Sequence, residues 1–285
     1  MRFMKMHGTG NDFIVLEAKG NEQDWPSLAQ IMCHRHLGIG ADGLLLILPS
    51  THAHVKMRIF NPDGSEAEMC GNGIRCLVRY ALDRGLVPSD GPIRVETLAG
   101  IISTWAMGDV VRVAIGVPRF HPSQVPVRWE GEEPLADIPL EVGGHPLRLF
   151  CLSLGNPHAV HLLPHSLEKF PLGQIGPQVE RHPLFPKRVN FEVAEVVDRG
   201  HMRVRVWERG AGETLACGTG ATAAAIAARV KGLVDERVEV QLPGGVLRIE
   251  WDGEGEAFLA GPAEYVFQGE WLGPTFPLDQ KGGKP

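Results

Sequence analysis

Two stretches of this 285-residue chain place a cysteine in the same chemical setting. Cys70 lies in Met69-Cys70-Gly71-Asn72-Gly73-Ile74, and Cys217 in Ala216-Cys217-Gly218-Thr219-Gly220-Ala221. After each comes a run without Pro or Gly, rich in Ala, Leu, Ile and Arg (74–84 and 221–231), which predicts a helix starting at the cysteine. A helix start offers unpaired N–H groups and the positive end of the helix dipole. A thiol held there is expected to fall from a pKa of ~8.5 to roughly 3.5–7.5, giving the thiolate a general base needs near neutral pH. Gly71 and Gly218 would let backbone donors approach a bound carboxylate. Two such thiols aimed at one carbon suit stereoinversion. One removes the α-proton, the other delivers a proton to the opposite face, and the carbanion-like transition state needs donors to the carboxylate and exclusion of water. A lone cysteine is more often a buried small hydrophobe. Two at equivalent positions argue for chemistry, whereas Cys33, Cys76 and Cys151 lack this setting and read as structural.

The equivalence is part of an internal repeat. Both motifs have an aromatic ten residues before the cysteine (Phe60, Trp207) and a glutamate four before it (Glu66, Glu213). The offset, 217 − 70 = 147, also relates Arg84-Gly85-Leu86-Val87 to Lys231-Gly232-Leu233-Val234. Arg94-Val95-Glu96 resembles Arg237-Val238-Glu239, and Gly116-Val117-Pro118 resembles Ala260-Gly261-Pro262. Upstream, Gly10-Asn11-Asp12-Phe13-Ile14-Val15 resembles Gly155-Asn156-Pro157-His158-Ala159-Val160.

These halves must supply the elements that position the thiols. Each opens with β-like runs, 13–17, 44–48 and 55–60 in the first and 159–163, 191–197 and 202–208 in the second. The cysteine helix follows, closed by a basic residue and a glycine, as a left-handed C-cap requires. Further β-like runs come after it: 93–97, 101–105 and 110–115, then 238–242, 246–251 and 257–259. The second helix, with Ala221-Thr222-Ala223-Ala224-Ala225-Ile226-Ala227-Ala228, has almost no polar face and should be buried all round. The expected fold is α+β: two pseudo-symmetric domains, each a curved mixed β-sheet or barrel wrapped around a central helix, with the active site in the cleft between them. The domains are expected at 1–118 and 119–262, with proline-dotted sequence at 118–146 joining the halves and disorder at 280–285.

Composition excludes several classes. A net charge of −6 and a pI near 6.1 give no reason to expect nucleic acid or an anionic membrane as partner. The N-terminal residues lack the apolar core of a signal peptide, and the longest apolar run, 44–49, is far short of the ~18 residues a membrane span needs. A cytoplasmic location is expected. Five cysteines without regular spacing do not suggest a disulfide framework. Gly38-Ile39-Gly40-Ala41-Asp42-Gly43 matches a dinucleotide fingerprint, but a helix precedes it and a strand follows, the reverse of what that fingerprint needs. Cys33-His34-Arg35-His36 is assigned to a helix end, since adjacent positions seldom converge on one metal and no second ligand pair has zinc spacing. Neither a G-x-S-x-G motif nor a P-loop is present.

Over essentially its whole length the sequence resembles diaminopimelate epimerase. The resemblance rests on Lys5-Met6-His7-Gly8-Thr9-Gly10-Asn11-Asp12-Phe13, Gly38-Ile39-Gly40-Ala41-Asp42-Gly43, Asn61-Pro62-Asp63-Gly64-Ser65, the motif from Met69 through Cys76, Gly155-Asn156-Pro157-His158, Trp207-Glu208-Arg209-Gly210, and Glu213 through Gly220. It implies interconversion of LL- and meso-2,6-diaminopimelate, a step toward lysine and peptidoglycan, with no pyridoxal phosphate, metal or other cofactor. It also implies return of 263–275 to the first domain. By motif match Cys70 is the proton donor and Cys217 the acceptor, the roles exchanging with direction. His158 and Glu208 are auxiliary catalytic residues. Asn11, Asn61, Gly71, Asn72, Asn156, Asn190, Glu208, Arg209, Gly218 and Thr219 fall at substrate-binding positions. The chemistry agrees: a planar guanidinium such as Arg209 clamps a carboxylate, and asparagines both donate and accept. Some family members carry glutamine where Gly43 stands, and Arg188-Val189-Asn190-Phe191-Glu192 is a looser match. The expected partner is a small-molecule substrate, and a homodimer is left open.

Proline racemases and hydroxyproline epimerases share this plan but typically show histidine where Asn72 stands, and phenazine-biosynthesis-type isomerases lack the cysteine pair. A thiol–disulfide switch is the rival of a different class; it would bind ligand without exchanging any α-proton.

Overall fold

The computed structural model describes residues 1–20, 23–131, 133–164 and 166–273; the expectation for 280–285 lies outside them. The chain divides into two compact units. One comprises Met1–Gly8, Asp12–Ile101 and Ala263–Pro285, the other Thr9–Asn11 and Ile102–Pro262. Four α-helices occur among the described residues: α1 (Trp25–Met32), α2 (Gly71–Asp83), α3 (Leu172–Glu180) and α4 (Gly218–Val230).

In the first unit Asn11–Glu17 runs parallel to Gly43–Leu48, which pairs antiparallel with Val55–Phe60. Val55–Phe60 pairs antiparallel with the short Glu66–Ala67 and parallel with Ile93–Thr97. The second unit repeats this wiring. Pro157–Leu163 is parallel to Asn190–Asp198, which pairs antiparallel with His201–Glu208. His201–Glu208 in turn pairs antiparallel with Gly212–Thr214 and parallel with Arg237–Leu242. The sequence repeat is therefore a repeat of β-sheet topology, with a helix entering after the short strand each time.

Both repeat helices are buried, α2 at ten positions and α4 at ten. The methyl side chains of Ala221, Ala223, Ala224, Ala225, Ala227 and Ala228 let strands close in on every side of α4, which touches seven of them. Both helices end as the sequence predicts. Gly85 and Gly232 take φ of 65° and 71°, and their N–H groups bond to Leu82 and Arg229 carbonyls. The following Leu86 and Leu233 bond back to Ala81 and Ala228, completing Schellman caps.

Three features depart from the sequence pattern. The segment 102–118 packs with the second unit, because Val110–Gly116 pairs antiparallel with Ala257–Pro262 and Arg112 bonds Glu250 at 3.0 Å. The proline-dotted 118–146 is no mere connector. Val125, Val127 and Leu135 are buried in the second unit's core, and Ile138–Val142 forms a hairpin with His145–Ser153. Helix α3 also escaped the pattern because Gly173, Gly176 and Pro177 interrupt it. Glu264–Glu270 pairs antiparallel with Arg2–Gly8 in the first unit.

Candidate active site

Each motif cysteine is the N-cap of its helix. Cys70 (φ −142°, ψ 118°) accepts the N–H of Gly73 at 3.5 Å. Cys217 (φ −122°, ψ 114°) accepts that of Gly220 at 3.4 Å. Sulfur thus fills the role usually taken by Ser, Thr, Asp or Asn. The helices begin at Gly71 and Gly218, three residues before the glycine-free runs that announced them, because both Gly-x-Gly segments form the first turn.

In the first unit Cys70 is half-buried, and Gly71 and Asn72 are buried behind it. Arg75 is fully buried and donates to the Gly71 carbonyl at 3.0 Å, bracing the start of α2. Burial pulls its guanidinium down to about 10, still charged at neutral pH. Asn61 Nδ2 donates to Ser65 Oγ at 2.9 Å within a local turn.

The other sequence-predicted residues belong to the second unit, where most are joined by hydrogen bonds. His158 and Glu192 are fully buried, with Nδ1 and Oε1 2.7 Å apart. His158 Nε2 lies 3.0 Å from Asn156 Oδ1, and Asn156 Nδ2 donates to Thr219 Oγ1 at 3.3 Å. Thr219 Oγ1 is 3.6 Å from Cys217 Sγ. Glu208 accepts the Thr214 hydroxyl at 2.5 Å. Buried Asn190 accepts the Arg209 N–H at 2.8 Å, and the exposed Arg209 guanidinium reaches the Lys187 carbonyl at 3.1 Å. Asn11 is half-buried at the start of its strand, and Gly218 is buried.

The structure corrects one expectation. Burial pushes the Cys217 thiol well above its ordinary pKa, and the negative charges of Glu208 and Glu192 raise it further. The Thr219 and Gly220 hydrogen bonds oppose this and lose. At 6% exposure, desolvation outweighs the helix end, so Cys217 holds its proton at neutral pH.

Two carboxylates escaped the sequence reading. Glu180, on α3, accepts Trp207 Nε1 at 2.8 Å and the Gly210 N–H at 3.1 Å, holding the turn that carries Glu208 and Arg209. Glu192 pairs with His158. The available signal was strand alternation: Asn190 and Glu192 share a face of a strand, among the apolar Phe191, Val193 and Ala194. Among the described residues no group of three or more His, Cys, Asp or Glu is placed to hold a metal ion, and none of their helices is long and apolar enough to cross a membrane.

Solved structures give the fold. The chain aligns with a phenazine biosynthesis protein of the PhzF family from Bacillus anthracis at a TM-score of 0.70 and 21% identity, covering 95% of this chain and 99% of that one. A probable proline racemase from Agrobacterium radiobacter K84 aligns at 0.67 and 17% identity, with 97% and 94% covered. Sequence relatives are nearer. A diaminopimelate epimerase of Moorella thermoacetica is 49% identical over 98% of this chain and 100% of its own length. That of Pelotomaculum thermopropionicum is 48% identical over 95% and 99%. The family model described as diaminopimelate epimerase matches residues 3–121 and 150–266, taking in both cysteine motifs. With paired N-cap thiols on a duplicated fold, and matches along nearly its whole length, the chain belongs to the diaminopimelate epimerase family.

Proposed function

We propose that this protein interconverts LL- and meso-2,6-diaminopimelate using its own side chains, without pyridoxal phosphate or metal. Cys70 and Cys217 act on the two faces of one α-carbon, Cys70 donating and Cys217 accepting in one direction and the reverse in the other. The observation that carries this reading is the pair of thiols capping equivalent helices, each followed by backbone N–H groups suited to a substrate carboxylate. Arg209 clamps a carboxylate, while Asn11, Asn61, Asn72, Asn156 and Asn190 serve the ammonium and carboxylate groups. Gly71, Gly218 and Thr219 supply donors at the helix starts, with Glu208 and His158 assisting the proton transfers.

The protonated state of Cys217 fits an acceptor only if substrate changes its surroundings. The α-ammonium does so: a cation beside the thiol offsets Glu208 and favours the thiolate. Cysteines without disulfides suit a reducing compartment, which supports a cytoplasmic location, and a homodimer is compatible with this reading.

The test is deuterium incorporation at the α-carbon of LL-diaminopimelate in D₂O under reducing conditions, beside proline and glutamate. Exchange with diaminopimelate alone is expected, and Cys70→Ala and Cys217→Ala should each abolish it while the fold survives. Retained turnover in either variant would falsify the two-thiol scheme.

A further inference from the structure

Glu192 lies outside the set proposed to bind substrate or move protons. It sits mid-strand in Asn190–Asp198, fully buried, and reaches the far side of the His158 ring from Asn156. Proton positions around the ring follow from its partners. The Asn156 amide spends its Nδ2 on Thr219 and turns Oδ1 toward His158, so Nε2 must carry hydrogen, because a carbonyl oxygen only accepts. Nδ1 then meets Glu192 Oε1 with one proton between them, on the ring or on the carboxyl. Either way the pair is net neutral, the charge state that complete burial tolerates best. Glu192 Oε2 is buried with no hydrogen-bond partner among the described residues.

We propose that Glu192 is a positioning residue: by fixing the tautomer and plane of His158 it sets the Asn156 amide, Thr219 and, through them, the sulfur of Cys217. The proposal deepens the diaminopimelate reading and rests on it. Two further contacts point the same way. A Cβ added at Gly220, the residue whose N–H caps Cys217, would lie 2.9 Å from Glu192 Oε1. The titratable groups facing Glu192 come from four elements: Cys151 on His145–Ser153, His158 on Pro157–Leu163, Glu208 on His201–Glu208, and Cys217 at the start of α4. The Glu192 charge is one of those that hold the Cys217 thiol protonated.

Two variants separate a kept partner from a lost one. Glu192→Gln can donate to Nδ1 and leave Nε2–H on Asn156, so it keeps both the geometry and the neutrality of the pair. Glu192→Leu leaves Nδ1 without a partner. Losing an outer partner of a catalytic histidine costs on the order of 10- to 100-fold by analogy with metal-site second shells. Glu192→Leu should lose that much kcat, with a smaller change in KM, and Glu192→Gln should recover most of it. Independently of turnover, the ring 15N spectrum of His158, assigned by its loss in His158→Gln, should show hydrogen on Nε2 in the wild type and in Glu192→Gln, and should lose that single form in Glu192→Leu. A folded Glu192→Leu variant with wild-type kcat, or a wild-type His158 without hydrogen on Nε2, overturns the proposal. Should Glu192→Leu fail to fold, the wild-type ring spectrum and the kcat of Glu192→Gln decide. Wild-type protein that exchanges no α-proton overturns the functional reading instead, and the ring spectrum still reports on Glu192.

Discussion

Gly73 and Gly220 occupy the same place in the two halves, three residues after each capping cysteine, yet their surroundings predict opposite responses to alanine. At Gly73 a Cβ would meet Ile59 Cδ1 at 3.3 Å, Cys70 Cβ at 3.5 Å and Leu45 Cδ1 at 3.6 Å. The nearest of these is the tip of a flexible side chain that can give a few tenths of an ångström. Alanine also gains ~0.5–1 kcal/mol over glycine in a helix, so Gly73→Ala should be neutral or slightly stabilising. At Gly220 the Cβ would meet Glu192 Oε1 at 2.9 Å and both Val206 methyls at 3.1 and 3.2 Å. The carboxylate cannot step aside, because it is held 2.7 Å from His158 Nδ1 in a fully buried pair. Overpacking of this kind costs about 1–3 kcal/mol, which outweighs the same propensity gain. The variants should therefore differ by roughly 1–3 kcal/mol, or about 2–12 °C in Tm at ~2–4 °C per kcal/mol for chains near this size. Scanning calorimetry measures this directly, and α-deuterium exchange should show Gly220→Ala the less active. Equal melting temperatures, or a more stable Gly220→Ala, would refute the packing argument.

Two further outcomes follow from the same structure. Burial pushes the Cys33 and Cys76 thiols up to about 12 and raises those of Cys151 and Cys217 as well. A raised native pKa means the folded state keeps protons that the unfolded chain releases above ~8.5, so this stability is present below that pH and is lost as pH climbs toward 12. Each such thiol contributes a slope of about 1.4 kcal/mol per pH unit, visible as a falling urea midpoint between pH 8 and 10 under reducing conditions; a flat profile would contradict the burial argument. Arg209→Met should raise the KM for diaminopimelate strongly, since the exposed guanidinium is proposed to clamp a carboxylate; an unmoved KM in steady-state assays would remove Arg209 from that role.

The sequence by itself determined the duplication, both cysteine helices and their glycine caps, and the strands that the two halves share on either side of those helices. These are local or repeated signals: a helix start at Cys70 and Cys217, a Gly at +65° or +71° after a basic residue, an apolar run of strand length. The hairpin of Ile138–Val142 with His145–Ser153 and the short Glu66–Ala67 and Gly212–Thr214 went unseen. Helix α3 stayed hidden because its glycines and proline defeat propensity, and only packing pays for them: Gly176 lies so close to Trp207 that an added Cβ would be 2.6 Å from the ring. The assignment of 102–118 to the second unit was likewise a matter of partner, since the Val110–Gly116 strand pairs with residues about 150 positions away. The charge state of Cys217 could not be read from its motif at all. A helix end is visible in sequence, but desolvation and the fields of Glu192 and Glu208 exist only once distant strands close around the sulfur, and in a buried site they win.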